Sequence, residues 1–222
     1  MTATEAPAPS WPRPRGLLLD AMGTLIGLRA TVGHTYAAVA AEHGIDVAAD
    51  AIDRAFPAVL RQAPPLAFPG LAGDRLLQAE RHWWGERIDA VLGAAGAGLT
   101  EVPATLHHAL FDHFADPSLW RVYPDVPAVL RRWHGAGLRL AVVSNFDRRL
   151  PALLEGLGLA DLFEQVVVSS SAGASKPSPL PFQMALEALG LPASQVWHVG
   201  DSPEDRAGAR AAGVRCLLVR RP

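Results

Sequence analysis

Five short apolar runs, rich in β-branched residues and four of them closed by Asp, Ser or Asn, constrain the fold of this chain most. They are "GLLLD" (16–20), "LRLAVVSN" (138–145), "EQVVVSS" (164–170), "VWHVGD" (196–201) and "VRCLLV" (214–219). A run that stays apolar without alternating suits a strand covered on both faces, the situation in a parallel sheet. Helical patterns lie between and beside the runs: "DVPAVLRRWHGAG", "DRRLPALLEGLG", "PLPFQMALEALG" and "DRAGARAAG", each ending in glycine. Strands alternating with such helices predict an α/β domain whose parallel sheet carries helices on both faces.

The stretch from Thr31 to about Arg121 differs, because it has helical periodicity and no convincing strand. "TVGHTYAAVAAEHG" stops at Gly44, and "AADAIDRAFPAVLRQA" holds Pro57 as a break or kink. "DRLLQAERHWWGERIDAVLGAAG" is long and amphipathic, "LGAAGAGLT" is an interhelical loop, and "PATLHHALFDHF" follows. The expected organisation is a leader over 1–15, a core of 16–30 with 122–222, and an inserted helical cap over 31–121.

With 222 residues there is room for one core and an elaboration. A net charge of −2 gives no electrostatic reason to expect nucleic acid or a membrane surface as partner, so a small molecule is the expected ligand. Cys216 is the one cysteine, which excludes an internal disulfide and suits a reducing, cytoplasmic setting. Its apolar surroundings suit a buried thiol better than a nucleophile. The leader alternates prolines without an apolar stretch of signal-peptide length, and no segment is long enough to span a bilayer.

In a parallel α/β sheet the carboxyl ends of the strands gather the ligand-binding residues. Here those ends carry Asp20, then Ser144 with Asn145, then Asp201 with Asp205 four residues on, and Lys176 lies on the loop after "EQVVVSS". Singly, each suits a helix cap or an acidic turn as well as a site. In this order they resemble the four motifs of the haloacid dehalogenase (HAD) superfamily: "DAMGTL", "VVSN", "SKPSP" and "GDSPED". The resemblance spans Leu17 to Val219. "LAVVSNFDRRL", the Trp83–Trp84 pair and "HVGDS" are similar to a subgroup of it that includes haloacid dehalogenase-like hydrolase domain-containing protein 3. The family implies a Rossmann-like core with a helical cap inserted after the first motif.

Three carboxylates at one sheet edge, Asp20, Asp201 and Asp205, repel one another unless a cation neutralises them, and oxygen ligands suit Mg²⁺. The resemblance implies that Asp20 is a nucleophile attacking phosphorus and that Lys176 holds Asp20 and the phosphoryl oxygens. It implies that Ser144, with nearby backbone N–H groups, binds the transferring group of a small phosphorylated substrate, and that the Met22 backbone carbonyl joins Asp20, Asp201 and Asp205 around the metal.

Met22 departs from the pattern. Most HAD phosphatases have a second aspartate there, which protonates the leaving oxygen and then activates water; a thioether does neither. Three readings follow. The first is a weak or specialised Mg²⁺-dependent phosphatase whose leaving group, acyl or aryl, needs no proton. The second is a non-catalytic binding protein for a phosphorylated ligand or a protein partner. The third is a 2-haloacid dehalogenase, since "DAMGTL" is similar to "DAYGTL", although dehalogenases lack the acidic pair that Asp201 and Asp205 supply. Cap residues with suggestive chemistry are Arg29, His34, Arg54, Arg61, Trp83 and Trp84, with His34 the first to test as a replacement acid. His107 and His108 lack metal-pair spacing, and Arg131, Arg132, Arg148 and Arg149 are expected on solvated helix faces.

Overall fold

The computed structural model describes residues 13–221, so most of the leader expected over 1–15 lies outside the described residues. In chain order the elements begin with β1 (Gly16–Leu19) and β2 (Ile26–Leu28). Four helices follow: α1 (Val32–Glu42), α2 (Ala49–Gln62), α3 (Gly73–Ala94) and α4 (Ala104–His113). Then come β3 (Trp120–Val122), α5 (Val126–Gly135), β4 (Arg139–Ser144), α6 (Arg149–Gly156), β5 (Gln165–Val168) and the one-turn α7 (Ser169–Ala172). The chain closes with α8 (Leu180–Leu189), β6 (Val196–Gly200), α9 (Pro203–Ala211) and β7 (Arg215–Leu218).

Each of the five apolar runs forms a strand, and the five make one parallel sheet in the order β5-β4-β1-β6-β7. The reason for the unbroken hydrophobicity is visible in β1. Leu17 and Leu19 pack with Val126, Leu130, Leu150 and Leu153 of α5 and α6, while Leu18 packs on the opposite face with Phe182 and Ala185 of α8 and Ala209 of α9. Each leucine so removed from water contributes about 1.5–3 kcal/mol. β1 is central, with β4 on one side and β6 on the other, and the chain crosses over it between β5 and β6. The crevice at its carboxyl end is therefore the position where such sheets bind ligands.

Between Leu28 and Trp120 the chain leaves this sheet. β2 and β3 pair antiparallel at the exit and return, Ile26 with Val122 and Leu28 with Trp120. The sequence pattern placed no strand between Thr31 and Arg121, because three residues are too few to show a period of two. The helices α1–α4 pack around Tyr36, Val39, Ile52, Ile88, Val91, Leu92, Leu106 and Leu110. Pro57 does not end α2, which continues to Gln62.

Polar contacts fasten these helices to the sheet. The Trp84 indole N–H donates to Asp147 Oδ2 at 2.7 Å, and Arg149 bonds both Asp147 and the Phe111 carbonyl, the latter at 2.8 Å. Ser169 Oγ donates to the Leu66 carbonyl at 2.7 Å. Arg149 thus departs from the expected solvated face, while Arg148 stays exposed as expected. The Arg149 guanidinium lies 4.0 Å from the Phe111 ring centroid, and Arg148 donates to the Gly73 carbonyl. Phe111 and Gly73 lie 38 and 75 residues away from them in the chain, outside any local pattern. Arg131 and Arg132 are exposed as expected.

Glu80 is buried at this junction and accepts from the Arg148 N–H at 3.1 Å. Burial pushes its carboxyl above the usual range, helped by the Asp147 charge. A carboxyl with a folded pKa above its unfolded value of about 4.3 loses stability as pH rises through that interval. The cost is present once the pH exceeds the folded pKa, and below about pH 4 it vanishes. Glu80→Gln is expected to raise stability at pH 7 by about 1 kcal/mol, or about 2–4 °C in Tm, with no gain at pH 4. Thermal unfolding at the two pH values measures this.

Candidate active site

The register carries the strand-end residues to one point. Leu19 pairs with Val142 and with Val199, so Asp20 stands one step beyond, level with Val143 and Gly200. Its N–H donates to the Val199 carbonyl at 2.9 Å. Asp20 Oδ1 accepts from Lys176 Nζ at 2.6 Å and from Ser144 Oγ at 3.1 Å. Oδ2 is buried and makes no hydrogen bond among the described residues. Gly23, with φ +82°, lets the next turn close against Asp201, where an added Cβ would stand 2.3 Å from Asp201 Oδ2.

Asp205 is fully buried and engaged on both oxygens. Oδ1 accepts from Lys176 Nζ at 2.6 Å and from His198 Nε2 at 2.8 Å. Oδ2 accepts from the Asp201 and Ser202 N–H groups and from Ser202 Oγ. Ser202 and Asp205 form the capping box that starts α9, so the helix start fixes the carboxylate. Burial opposes the Asp205 charge, and the His198 and Lys176 contacts outweigh it, holding the carboxyl well below its usual range. Burial likewise opposes the Lys176 charge, and Asp20 and Asp205 outweigh it, so the ammonium is held above its usual range. Asp201 is pushed up, by partial burial first and then by the Asp20 and Asp205 charges.

The carboxylates of Asp20, Asp201 and Asp205 offer oxygens that all lie within 4.8 Å of one another. Three carboxylates gathered within reach of one ion, with the Asp201 carboxyl raised, are what a hard cation would relieve, so the donor set fits one. Asn145 lies off this cluster. Its side chain donates to the Lys176 carbonyl at 3.0 Å and accepts from the Lys176 N–H at 2.7 Å, positioning the lysine loop. His198 was missed in the sequence, where its one signal was a lone polar side chain inside an apolar strand.

Residues 14–213 match the haloacid dehalogenase-like hydrolase family. The chain belongs to that family. It is 38% identical over 209 residues to haloacid dehalogenase-like hydrolase domain-containing protein 3 of Bos taurus, covering 94% of this chain and 82% of that protein. It is 42% identical over 122 residues to phosphoglycolate phosphatase of Rhodospirillum rubrum, covering 54% of this chain and 51% of that one. CbbY from Rhodobacter sphaeroides in complex with phosphate shares the fold at a TM-score of 0.66 and 21% identity, covering 93% and 86% of the two chains. L-2-haloacid dehalogenase from Xanthobacter autotrophicus shares it at 0.65 and 23%, covering 93% and 77%.

In this HAD-family chain a cavity of about 190 Å³ opens between the inserted helices and the segments that follow β1 and β4. Met22 lines it and is 42% exposed. Trp84 lines it too, whereas Trp83 is buried and donates to the Pro64 carbonyl, so the pair divides as adjacent helical residues must. Other candidates from the inserted helices lie elsewhere. His34 is exposed on the first turn of α1 and does not line the cavity; Arg29 and Arg61 are exposed, and Arg54 pairs with Asp50. His107 contacts Asp89 at 2.6 Å, and His108 is exposed. Burial pushes the Cys216 thiol up to about 11, which suits an inert side chain.

Proposed function

We propose that this chain is a Mg²⁺-dependent phosphatase acting through an aspartyl-phosphate on Asp20, restricted by Met22 to leaving groups that need no proton. The observation that carries this is the Asp20 carboxylate, with Oδ1 held by Lys176 and Ser144 and Oδ2 free. Oδ2 attacks the phosphorus of a small phosphorylated molecule, and the bond from phosphorus to the leaving oxygen breaks. Lys176 offers its charge to the transferring oxygens, while Ser144 Oγ keeps its one hydrogen bond on Asp20 Oδ1. Water then attacks the phosphorus of the aspartyl-phosphate, releasing phosphate and restoring Asp20.

Asp20, Asp201 and the Met22 backbone carbonyl would hold Mg²⁺, with Asp205 adding its charge while it orients Lys176. The ion would supply charge neutralisation for the carboxylates and the phosphoryl oxygens. The inserted helices 31–121 act as a cap that determines which leaving group fits, over a core of 16–30 and 122–222. No helix among the described residues is long and apolar enough to cross a membrane, and a cytoplasmic setting is part of this proposal.

Asp201 argues against the dehalogenase reading, because halide displacement has no use for a second free carboxylate beside the nucleophile. Met22 favours the binding-protein reading if no leaving group departs without the missing acid. The test is phosphate release from acetyl phosphate and p-nitrophenyl phosphate. The expected result is turnover with Mg²⁺, none in EDTA, and no halide released from 2-chloropropionate. Ligand binding without phosphate release would favour the binding protein, and metal-independent halide release the dehalogenase.

A further inference from the structure

The cavity that Met22 lines, two residues on from Asp20, has the chemistry of an aromatic-ring site. Its floor at the strand ends is Met22 and Phe146, and its walls include Trp84, Phe111, Phe114 and Trp120. The one charged residue in the lining is Arg149, and that charge is taken: its guanidinium bonds the Asp147 carboxylate and the Phe111 carbonyl and stacks over Phe111. Tyr36, also in the lining, is fully buried, and burial holds its phenol far above the ordinary range, so it stays neutral. A leaving group bearing a carboxylate or second phosphate would meet no unpaired cation among these lining residues, and would lose its hydration there. An uncharged group gains from the same surroundings.

Size narrows the choice. An apolar cavity of about 150 Å³ admits benzene, so about 190 Å³ admits one six-membered ring with a small substituent. Met22 points to the same class by an independent route. A phenolic oxygen, with a pKa near 10, departs as phenolate where an alkoxide needs a proton that Met22 does not supply.

We infer that this site takes the phosphate monoester of an uncharged single-ring phenol, the ring lying in this cavity beside Met22 and the phosphoryl group at Asp20. The inference rests on the phosphatase reading for the phosphoryl position and on the cavity for the ring. In the reaction Asp20 Oδ2 bonds to phosphorus, the bond from phosphorus to the aryl oxygen breaks, and the electron pair leaves on the phenolate, which takes its proton from solvent.

The test uses the full chain carrying Asp20→Asn, with binding followed by calorimetry in Mg²⁺. Phenyl phosphate is expected to bind at least tenfold more tightly than glycerol phosphate or inorganic phosphate. Leu60→Trp, at the half-buried edge of the lining, is expected to remove that preference, with circular dichroism confirming the fold. Phenyl phosphate binding no better than glycerol phosphate, or a preference that survives Leu60→Trp, overturns the ring site. If wild-type protein still hydrolyses acetyl phosphate in that case, the phosphatase reading stands without it. A tenfold preference with no hydrolysis of any ester supports the ring site and overturns the phosphatase reading.

Discussion

Replacing Met22 with aspartate is expected to raise turnover on glycerol phosphate by about 10²–10⁴. The residue at this position is 42% exposed and lines the cavity, so a carboxylate fits without disturbing the β1 end. Apolar neighbours such as Phe146 and Trp84 would raise its pKa towards neutrality, which suits an acid in the first step and a base in the second. The gain should be concentrated in alkyl esters, whose leaving oxygen needs the proton. With p-nitrophenyl phosphate the first step is already independent of an acid, so the wild type should release a burst of phenolate and then turn over slowly. The variant should shorten the slow phase rather than enlarge the burst. Stopped-flow absorbance distinguishes the two. Equal alkyl turnover in both proteins would mean that the site differs from a phosphatase by more than one acid.

The second large effect concerns Lys176→Met. Lys176 Nζ is buried between Asp20 and Asp205, 2.6 Å from an oxygen of each, and also reaches the Val143 carbonyl. Its removal leaves two buried carboxylates facing each other, a change that costs about 3–5 kcal/mol. For a chain of this size that is a fall in Tm on the order of 10 °C. Turnover should drop about 10²–10³ as the positive charge beside the transferring oxygens is lost. Mg²⁺ should recover more of the lost Tm in the variant than it adds to the wild type, since the ion would then be the one cation left among the carboxylates. A fall below about 1 kcal/mol would show that the buried ion pairs contribute little to holding the strand ends together.

The sheet was legible because its chemistry is local. A strand such as Leu17–Leu19 that is covered on both faces cannot alternate, and the flanking helices announce their ends with glycine, as Gly190 does in a left-handed conformation after α8. The β2–β3 pair was hidden because each strand has three residues and its partner is nearly a hundred residues away. Asp20, Lys176 and Asp205 were legible as residue types at strand ends, but their division of labour was not. Only the register and the capping box show that Asp205 is saturated while Asp20 keeps a free oxygen. Arg149 looked like a surface residue because Asp147 alone is near it in sequence. Trp84 and Phe111, which make it a buried clamp, arrive from the inserted helices. The cavity could not be read from sequence, since its lining comes from all four of those helices and two strand ends at once.

Met22 also makes the central claim directly measurable. Without a base to activate water, the aspartyl-phosphate should outlast its formation, so it should accumulate when acetyl phosphate is mixed with the protein in Mg²⁺. Acid quenching followed by peptide mass spectrometry is expected to find one phosphoryl group on the peptide that holds Asp20, absent in EDTA and absent in Asp20→Asn. Phosphate release with that peptide unmodified at every time point, or equal release by Asp20→Asn, would contradict the account.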